Sequence, residues 1–292
     1  MADREGAAQA GPATQAEQAG PATQAERASR FLSLHRPGTP LLMPNAWDVG
    51  SAVLLASLGF GALATTSGGF AASRGRLDGS MRRDEVLGHA RELAAATPLP
   101  LSADLENCFA HDPEGVAATA RDAIDAGVAG FSVEDFSGNA EDPIYQLELA
   151  AERVRAACEV AHHGGRHIVV TARAENYLHG RPDLADTIAR LEAYQAAGAD
   201  VVFTPRLEDP DDLRQLLRAV DVPVSVLAGP DTPNVGELAE LGVSRVSVGG
   251  AFAVAAYGAL VDAATELRDK GTYGYWDLTK RGSRAVRDAF SP

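Results

Sequence analysis

The sequence alternates eight times between a short apolar run and an Ala/Leu-rich stretch with helical spacing. The apolar runs end in polar residues, and the helical stretches Glu114–Ala126 and Leu184–Ala197 lead into a glycine that permits a left-handed cap. This alternation predicts βαβ units and a parallel sheet covered on both faces. The predicted strands are Pro40–Pro44, Ala62–Ser67, Leu99–Glu106, Gly130–Asp135, His167–Glu175, Val201–Pro205, Pro223–Ala228 and Ser244–Gly249.

Two architectures share this pattern, a doubly wound open sheet and a closed (β/α)8 TIM barrel. Eight repeats within about 250 residues favour the barrel, so we predict one α/β barrel domain over residues 28–292. Residues 1–27 have a different composition, in which the segment Ala10–Glu17 (AGPATQAE) is repeated at Ala19–Glu26. Because this stretch has no aromatic residue and little apolar surface to bury, we predict a disordered tail.

The charge and cysteine content narrow the choice of partners and compartment. A net charge of −14 repels nucleic acid phosphates and anionic lipids, so neither is an expected partner. The N-terminus lacks an apolar signal region, and no run approaches the roughly 18 apolar residues that would cross a membrane. Two cysteines, Cys108 and Cys158, form no disulfide framework, so we expect a reducing cytoplasm.

Three carboxylates follow neighbouring predicted strands, at the end where barrel enzymes place their active sites. Asp104 and Glu106 are two residues apart on one predicted strand and therefore share a face, and Glu134 ends the next strand. Such carboxylates repel one another unless a cation lies among them, and oxygen ligands suit Mg²⁺ or Mn²⁺. The alternative is that these acids cap the strands or pair with Arg173 and Arg206.

Two further features suit an anionic ligand. Arg173 ends the fifth strand and can hold a carboxylate or phosphate through two hydrogen bonds, or can instead pair with Glu134 or Glu175. Ser67 and Gly68 follow the second strand, where a hydroxyl and backbone N–H groups can receive an anion. Four histidines show no metal-ligand spacing and are expected on surfaces or loops: His111, His162, His163 and His167. His179 lies beyond the fifth strand near the mouth of the barrel, and its role is open.

Six short motifs occur in order along the chain: Pro44-Asn45-Ala46-Trp47-Asp48, Ser67-Gly68, Asp78-Gly79, Asp104-Leu105-Glu106, Val133-Glu134-Asp135 and Ala172-Arg173-Ala174-Glu175-Asn176. From about Phe31 to Tyr273 the chain resembles the isocitrate lyase/phosphoenolpyruvate mutase family. The resemblance implies Mg²⁺ held directly by Asp104, with Asp78, Glu106 and Glu134 binding through metal waters. It also implies that Ser67, Gly68 and Trp47 contact a carboxylate substrate, and that Arg173 anchors an oxygen or phosphoryl group.

The loop after the fourth strand departs from the family. The lyases carry Lys-Lys-Cys-Gly-His there, whereas the stretch Phe136–Pro143 (FSGNAEDP) contains no Cys, Lys or His. The resemblance still implies cleavage of a small 2-oxo- or 2-hydroxy-carboxylate through an enolate-like intermediate, by a lyase or by a hydrolase of a 2-oxo-diacid such as oxaloacetate. The alternatives are phosphoenolpyruvate mutase-type P–C chemistry and a silent carboxylate-binding barrel. Asn139, Tyr145 and a metal-bound water are the candidate proton donors.

The C-terminal stretch Phe252–Lys270 is predicted to form an Ala-rich amphipathic helix, followed by Trp276 and a basic tail. In the resembled family, terminal helices are exchanged between subunits. The resemblance therefore implies a homodimer or homotetramer, and the alternative is a helix packed on its own barrel.

Overall fold

The computed structural model describes residues 22–291, which form a ring of parallel strands surrounded by helices. Each of the eight predicted runs contains a strand, and the predicted barrel is confirmed. The strands are β1 Leu41–Met43, β2 Asn45–Ala46, β3 Leu63–Thr65, β4 Leu101–Asp104, β5 Gly130–Glu134, β6 Val169–Arg173, β7 Val201–Phe203, β8 Val224–Leu227 and β9 Arg245–Ser247.

The ring closes through a single segment, residues 41–46. β1 pairs with β9 and β2 pairs with β3, so the two short strands join the two ends of the sheet. Pro44 lies between them, and because proline has no backbone N–H it interrupts the ladder at this point. Its carbonyl still accepts a hydrogen bond from the Ala64 backbone N–H at 3.0 Å, so the edge stays joined.

Helices cover the outside of the ring, and their ends follow the local sequence. α5 begins at Pro113 because Asp112 accepts a hydrogen bond from the Gly115 N–H and proline suits the first helical position. The Ala-Gly exits behave as predicted, since Gly127 and Gly198 both have positive φ angles. The helices are α1 Gln24–Ser33, α2 Val49–Ser57, α3 Ser67–Ser73, α4 Arg83–Ala96, α5 Pro113–Asp125, α6 Leu147–Ala161, α7 Leu184–Ala196, α8 Pro210–Ala219, α9 Val235–Leu241, α10 Ala251–Lys270 and α11 Trp276–Phe290.

The N-terminal boundary differs from the one that composition suggested. α1 already begins at Gln24, where Thr23 and Glu26 form a reciprocal capping box. Phe31 of this helix is fully buried, and its ring lies so close to Gly130 that a side chain at Gly130 would clash with it. The helix is therefore part of the barrel domain, and residues 1–21 of the proposed tail lie outside the described residues.

The two C-terminal helices bury few side chains against the barrel. α10 is the predicted Ala-rich helix, and the stretch after Trp276 continues as a second helix, α11, where only a basic tail was predicted. α11 packs against α2, with the Phe290 ring close to Gly50. Among the apolar side chains of α10, Val254, Leu260 and Val261 are each more than half exposed. Exchange of a terminal helix between subunits stays a prediction.

The core occupies the space between the strands and the helix ring. Phe131, Leu63 and Leu101 are among its fully buried side chains. Burying each such side chain stabilises the folded state by about 1.5–3 kcal/mol. This packing holds the strand ends in fixed positions. Within residues 22–291, no helix has both the length and the apolar character that crossing a membrane requires.

Candidate active site at the mouth of the barrel

Strand register brings the predicted polar residues together at the carboxyl ends of β4, β5 and β6. Asp104 ends β4, Glu134 ends β5 and Arg173 ends β6, and Glu134 is the direct register partner of Arg173. Because parallel strands end at the same edge of the barrel, residues distant in sequence become neighbours here. The sequence prediction that these three side chains share one site agrees with this geometry.

Arg173 is the central cation of the site. Its Nη1 lies 3.0 Å from Asp104 Oδ1 and 3.3 Å from Glu134 Oε2, and its Nε donates to Glu175 Oε1 at 2.8 Å. The guanidinium therefore pairs with Asp104 as well as with the two acids that the sequence suggested as partners. These contacts fix the plane of the guanidinium, and Arg173 lines both cavities.

Glu106 lies in a turn after β4 and not in the strand itself, so the alternation of side chains along a strand does not apply to it. β4 ends at Asp104, and the backbone then turns through a left-handed residue, with φ of 51° at Glu106. The argument that Asp104 and Glu106 share one strand face was therefore wrong in its geometry. Within the described residues, the buried Oε1 of Glu106 has no hydrogen-bond partner. Burial, followed by the charges of Asp104 and Asp78, raises the pKa of this carboxyl to about 7.

The charge balance of the site calls for a cation. Five carboxyl groups, those of Asp78, Asp104, Glu106, Glu134 and Glu175, line the two cavities together with only two guanidinium groups, those of Arg173 and Arg245. Burial raises the pKa of Glu134 and of Glu175, so their ionised forms are costly without further positive charge.

The spacing of these acids bears on how an ion would be held. Among residues 22–291, no three carboxylate oxygens of this group come within 4.8 Å of one another. This separation of the oxygens is wider than in a set of ligands that all bind one ion directly. It fits an ion that keeps several waters, as Mg²⁺ does. The all-oxygen donor set and the unpartnered Glu106 oxygen both fit Mg²⁺ or Mn²⁺.

Ser67 and Gly68 lie beside the acids, at the start of α3. The Ser67 backbone N–H donates to Asp104 Oδ2 at 3.1 Å, which ties β3 to the acid group. A Cβ added at Gly68 would lie 3.1 Å from Asp78 Oδ2, so the absence of a side chain lets Asp78 approach. These two residues line the site as predicted.

Two adjoining cavities open at this end of the barrel, with volumes of about 240 and 250 Å³. Both are lined by Ser67, Asp78, Arg173 and Leu178, so we treat them as one two-part site. The first part also contains Asp104, and the second contains Glu106 and Glu134. The site therefore has room for an ion and a small anion together.

Three predicted residues do not line either cavity. Trp47 packs beside Gly69, and its backbone N–H donates to Ser51 Oγ instead. Asn139 lies exposed in its loop because its side-chain oxygen accepts from the Glu141 N–H at 3.0 Å. The Tyr145 hydroxyl forms a 2.6 Å hydrogen bond with His111 Nδ1. Tyr145 and Asn139 therefore lie outside both cavities, and their role as proton donors stays a prediction.

Cys108 and Arg206 also lie outside both cavities. Cys108 is fully buried, and burial raises the pKa of its thiol to about 12, which agrees with an inert role. Arg206 lies 3.9 Å from Glu208 and pairs there, away from the acid group.

The sequence pattern offers Glu175 only as an alternative partner of Arg173, and it places His179 near the mouth of the barrel with its role open. Glu175 is buried against Arg173, and His179 lines the second cavity with its ring stacked on Phe136 at 3.8 Å. His179 follows Glu175 by four residues, a spacing that gives no metal or catalytic signal by itself. Only the turn after β6 brings its ring back to the mouth.

A second group of polar residues lies at the opposite end of the barrel. His162 and His167 are partly exposed, as the sequence predicted, and each contacts one oxygen of Asp200, at 3.0 and 2.5 Å. Within the described residues, this is the one group of His, Cys, Asp or Glu whose ligand atoms all lie within 4.8 Å. The two rings are stacked nearly parallel at 4.1 Å, so their Nε2 atoms point side by side. That geometry suits two hydrogen bonds to one carboxylate better than convergence on an ion.

The chain is similar in sequence to several known proteins. The family model described as phosphoenolpyruvate phosphomutase matches residues 31–268. The chain is 36% identical over 222 residues to the uncharacterised protein MT2054 of Mycobacterium tuberculosis, covering 75% of this chain and 81% of that protein. It is also 30% identical over 205 residues to 2-methylisocitrate lyase of Bacillus subtilis, covering 67% and 65% of the two chains.

Solved structures show the same barrel. A protein of Burkholderia cenocepacia J2315 described as a candidate lyase/mutase superposes with a TM-score of 0.88 and 48% identity, covering 92% of this chain and 97% of that one. An oxaloacetate acetylhydrolase in complex with the product oxalate has a TM-score of 0.77 and 25% identity, covering 86% and 89%. The chain therefore belongs to the phosphoenolpyruvate phosphomutase family, within the phosphoenolpyruvate mutase/isocitrate lyase superfamily that its sequence motifs resemble.

Proposed function

We propose that this protein is a Mg²⁺-dependent carbon–carbon lyase that cleaves a small 2-oxo- or 2-hydroxy-carboxylate. One observation carries the proposal: five carboxyl groups line the site with only two guanidinium groups, and a buried oxygen of Glu106 has no partner among the described residues. Such a group of acids is stable only with further positive charge. The relatives include 2-methylisocitrate lyase, which supports the reaction class.

Each residue of the site has a role in this proposal. Asp104 would hold Mg²⁺ directly, and Asp78, Glu106 and Glu134 would hold it through water, as their spacing suggests. When bound, Mg²⁺ supplies positive charge against the negative charge that develops on the reacting substrate. The Ser67 hydroxyl and the Gly68 N–H would donate to a substrate carboxylate, because the Ser67 N–H is already bonded to Asp104, and Arg173 would orient an oxygen.

The substrate class follows from the size and charge of the cavities. Volumes of about 240 and 250 Å³ suit a compact carboxylate, and Arg173 with the metal would neutralise it. The fold and sequence similarity to oxaloacetate acetylhydrolase favours a 2-oxo-diacid as a second candidate, cleaved by hydrolysis. Phosphoenolpyruvate mutase-type chemistry is disfavoured because the loop from 136 to 143 lacks the lysine that the mutases carry there.

The test is a substrate panel followed by proton NMR, with Mg²⁺ or with EDTA. The panel contains oxaloacetate, 2-methylisocitrate, 2,3-dimethylmalate and phosphonopyruvate. We expect Mg²⁺-dependent cleavage of at least one carboxylate, and its loss in Asp104→Asn together with Mg²⁺ binding. Asp211→Asn, a change at an exposed carboxylate on α8, is the matched control and should keep both. Tight oxalate binding without turnover of any panel member would instead indicate a silent binding protein.

We also propose a homodimer or homotetramer that works in the cytoplasm. The exposed apolar side chains of α10 support the assembly, and the two free, buried cysteines support a reducing compartment. Light scattering should give a mass at least twice that of one chain. Leu260→Glu combined with Val261→Glu should lower it to one chain, whereas Asp277→Asn on α11 should leave it unchanged.

A further inference from the structure

The proposed reaction needs a group that moves a proton, and the loop from 136 to 143 offers no Cys, Lys or His for this purpose. His179 is a histidine that lines the acidic cavity, and its cavity neighbours include Glu106, Glu134 and Arg173. It follows β6 by six residues, so the strand that carries Arg173 also positions it. An imidazole therefore faces the place where substrate would lie.

The His179 ring is held in one orientation from two sides. It stacks on the Phe136 ring with centroids 3.8 Å apart and planes tilted by only 4°. Its Nε2 lies 3.8 Å from Glu175 Oε2, and its backbone N–H donates to the Glu175 carbonyl at 3.0 Å. A fixed ring beside a carboxylate is the arrangement in which an imidazolium, once formed, is stabilised.

The charge state suits a base. Burial, followed by the positive charge of Arg173, lowers the pKa of His179 below its ordinary value of 6.5, so the ring is neutral at pH 7. The titratable groups that face it are Glu175 and Arg173 from the β6 exit, Glu134 from β5, Glu106 from the turn after β4 and Asp78 from the loop after α3.

We propose that His179 is the catalytic group that transfers the proton during carbon–carbon cleavage, and that Phe136 positions its ring. This inference rests on the proposed function. The neutral imidazole accepts the hydroxyl proton of a 2-hydroxy-carboxylate. The carbon–carbon bond then breaks, the former hydroxyl becomes a carbonyl, and the bonding electron pair passes to the departing fragment as an enolate. The imidazolium returns the same proton to that carbon, so no co-reactant is consumed.

The stacking contact also links proton transfer to the loop. Phe136 is the first residue of the loop, and its backbone bridges to Ile144 at the far end. A change in loop position would therefore change the position of the His179 ring. Phe136 does not touch reacting atoms in this role, and its effect passes through the imidazole.

The test compares His179→Gln with His163→Gln, a change of the same chemistry at the other end of the barrel. General acid–base catalysis contributes about 10²–10⁴-fold, so we expect His179→Gln to lower kcat by at least about 100-fold. Mg²⁺ and oxalate affinity should stay within about threefold, which also shows that the variant is folded. His163→Gln should match the wild type in every measurement.

Two further readouts separate catalysis from structure. Wild-type kcat should fall as pH drops through the pKa of His179, and this acid limb should disappear in His179→Gln. Added imidazole should restore part of the kcat of His179→Ala, and Phe136→Leu should lower kcat with little change in KM.

Three outcomes would overturn the inference. If His179→Gln turns over at wild-type rate, or keeps the acid limb, the histidine role is wrong while the lyase proposal stands. If its loss of activity comes with loss of oxalate binding, the residue has a structural role only. If the wild type itself cleaves no panel substrate, the lyase proposal and the histidine role fail together.

Discussion

Glu106 allows a quantitative test of whether the acid group is built around an ion. Its pKa is raised from 4.5 to about 7 in the folded protein. At 1.36 kcal/mol per pKa unit, ionising it in the metal-free protein costs about 3 kcal/mol, which we reduce to about 2 kcal/mol because the carboxyl partly faces water. The folded pKa of this acid lies above its unfolded value. Glu106 therefore costs no stability below pH 4.5, and the cost grows as pH rises toward 7.

The expected result has two parts that move in opposite directions. Glu106→Gln should raise the free energy of unfolding of the metal-free protein at pH 8 by about 2 kcal/mol, measured by urea denaturation in EDTA, and should have no such effect at pH 4.5. The same change should weaken Mg²⁺ binding, measured by calorimetry. Wild-type Mg²⁺ affinity should fall by up to about tenfold per pH unit below pH 7, because the ion must displace the Glu106 proton.

Glu141→Gln, in the exposed loop, is the matched control and should change neither quantity. A Glu106→Gln variant that is less stable than the wild type at pH 8 in EDTA would refute the reasoning. So would Mg²⁺ affinity that is independent of pH between 5 and 7.

Three other predictions follow from single contacts. Arg173→Met leaves the buried acids Glu134 and Glu175 and the partly buried Asp104 without this partner, so the metal-free protein should lose about 3–5 kcal/mol of unfolding free energy and regain part of it in Mg²⁺. Equal loss with and without Mg²⁺ would contradict this. Gly68→Ala should push Asp78 away and weaken Mg²⁺ binding by about tenfold at unchanged Tm, and unchanged affinity would count against Asp78. Asp200→Asn should lower the unfolding free energy by about 1–3 kcal/mol without changing kcat, because it disturbs hydrogen bonds only at the far end of the barrel. A lower kcat would contradict the claim that this end of the barrel is separate from the active site.

The fold could be predicted from sequence because its signals are local and repeated. An apolar run marks each βα unit, Ala-Gly exits mark two of the helix ends, and every predicted run contains a strand. What escaped prediction depended on single residues. Pro44 ends the first predicted run, and a second short strand, β2, follows it that was not predicted. Thr23 with Glu26 starts a helix inside a segment whose composition suggested disorder.

For the site too, what the strand pattern predicts differs from what depends on single residues. Asp104, Glu134 and Arg173 were predicted because they end strands, and the ends of parallel strands meet at one edge. Glu106 reaches the cavity through a left-handed turn, and His179 through a turn after β6. Neither path leaves a periodic pattern in the sequence. Asn139 was expected in the site from its place in the loop, but its local hydrogen bond holds it outside.

A crystal structure with Mn²⁺ and oxalate, using the anomalous signal of Mn²⁺, tests the central claim most directly. The account predicts one strong anomalous peak at the mouth of the barrel, with Asp104 as a direct ligand and oxalate between the ion and the Ser67–Gly68 backbone. A peak only beside Asp200, or no peak with Arg173 still bonded to Asp104, would contradict it.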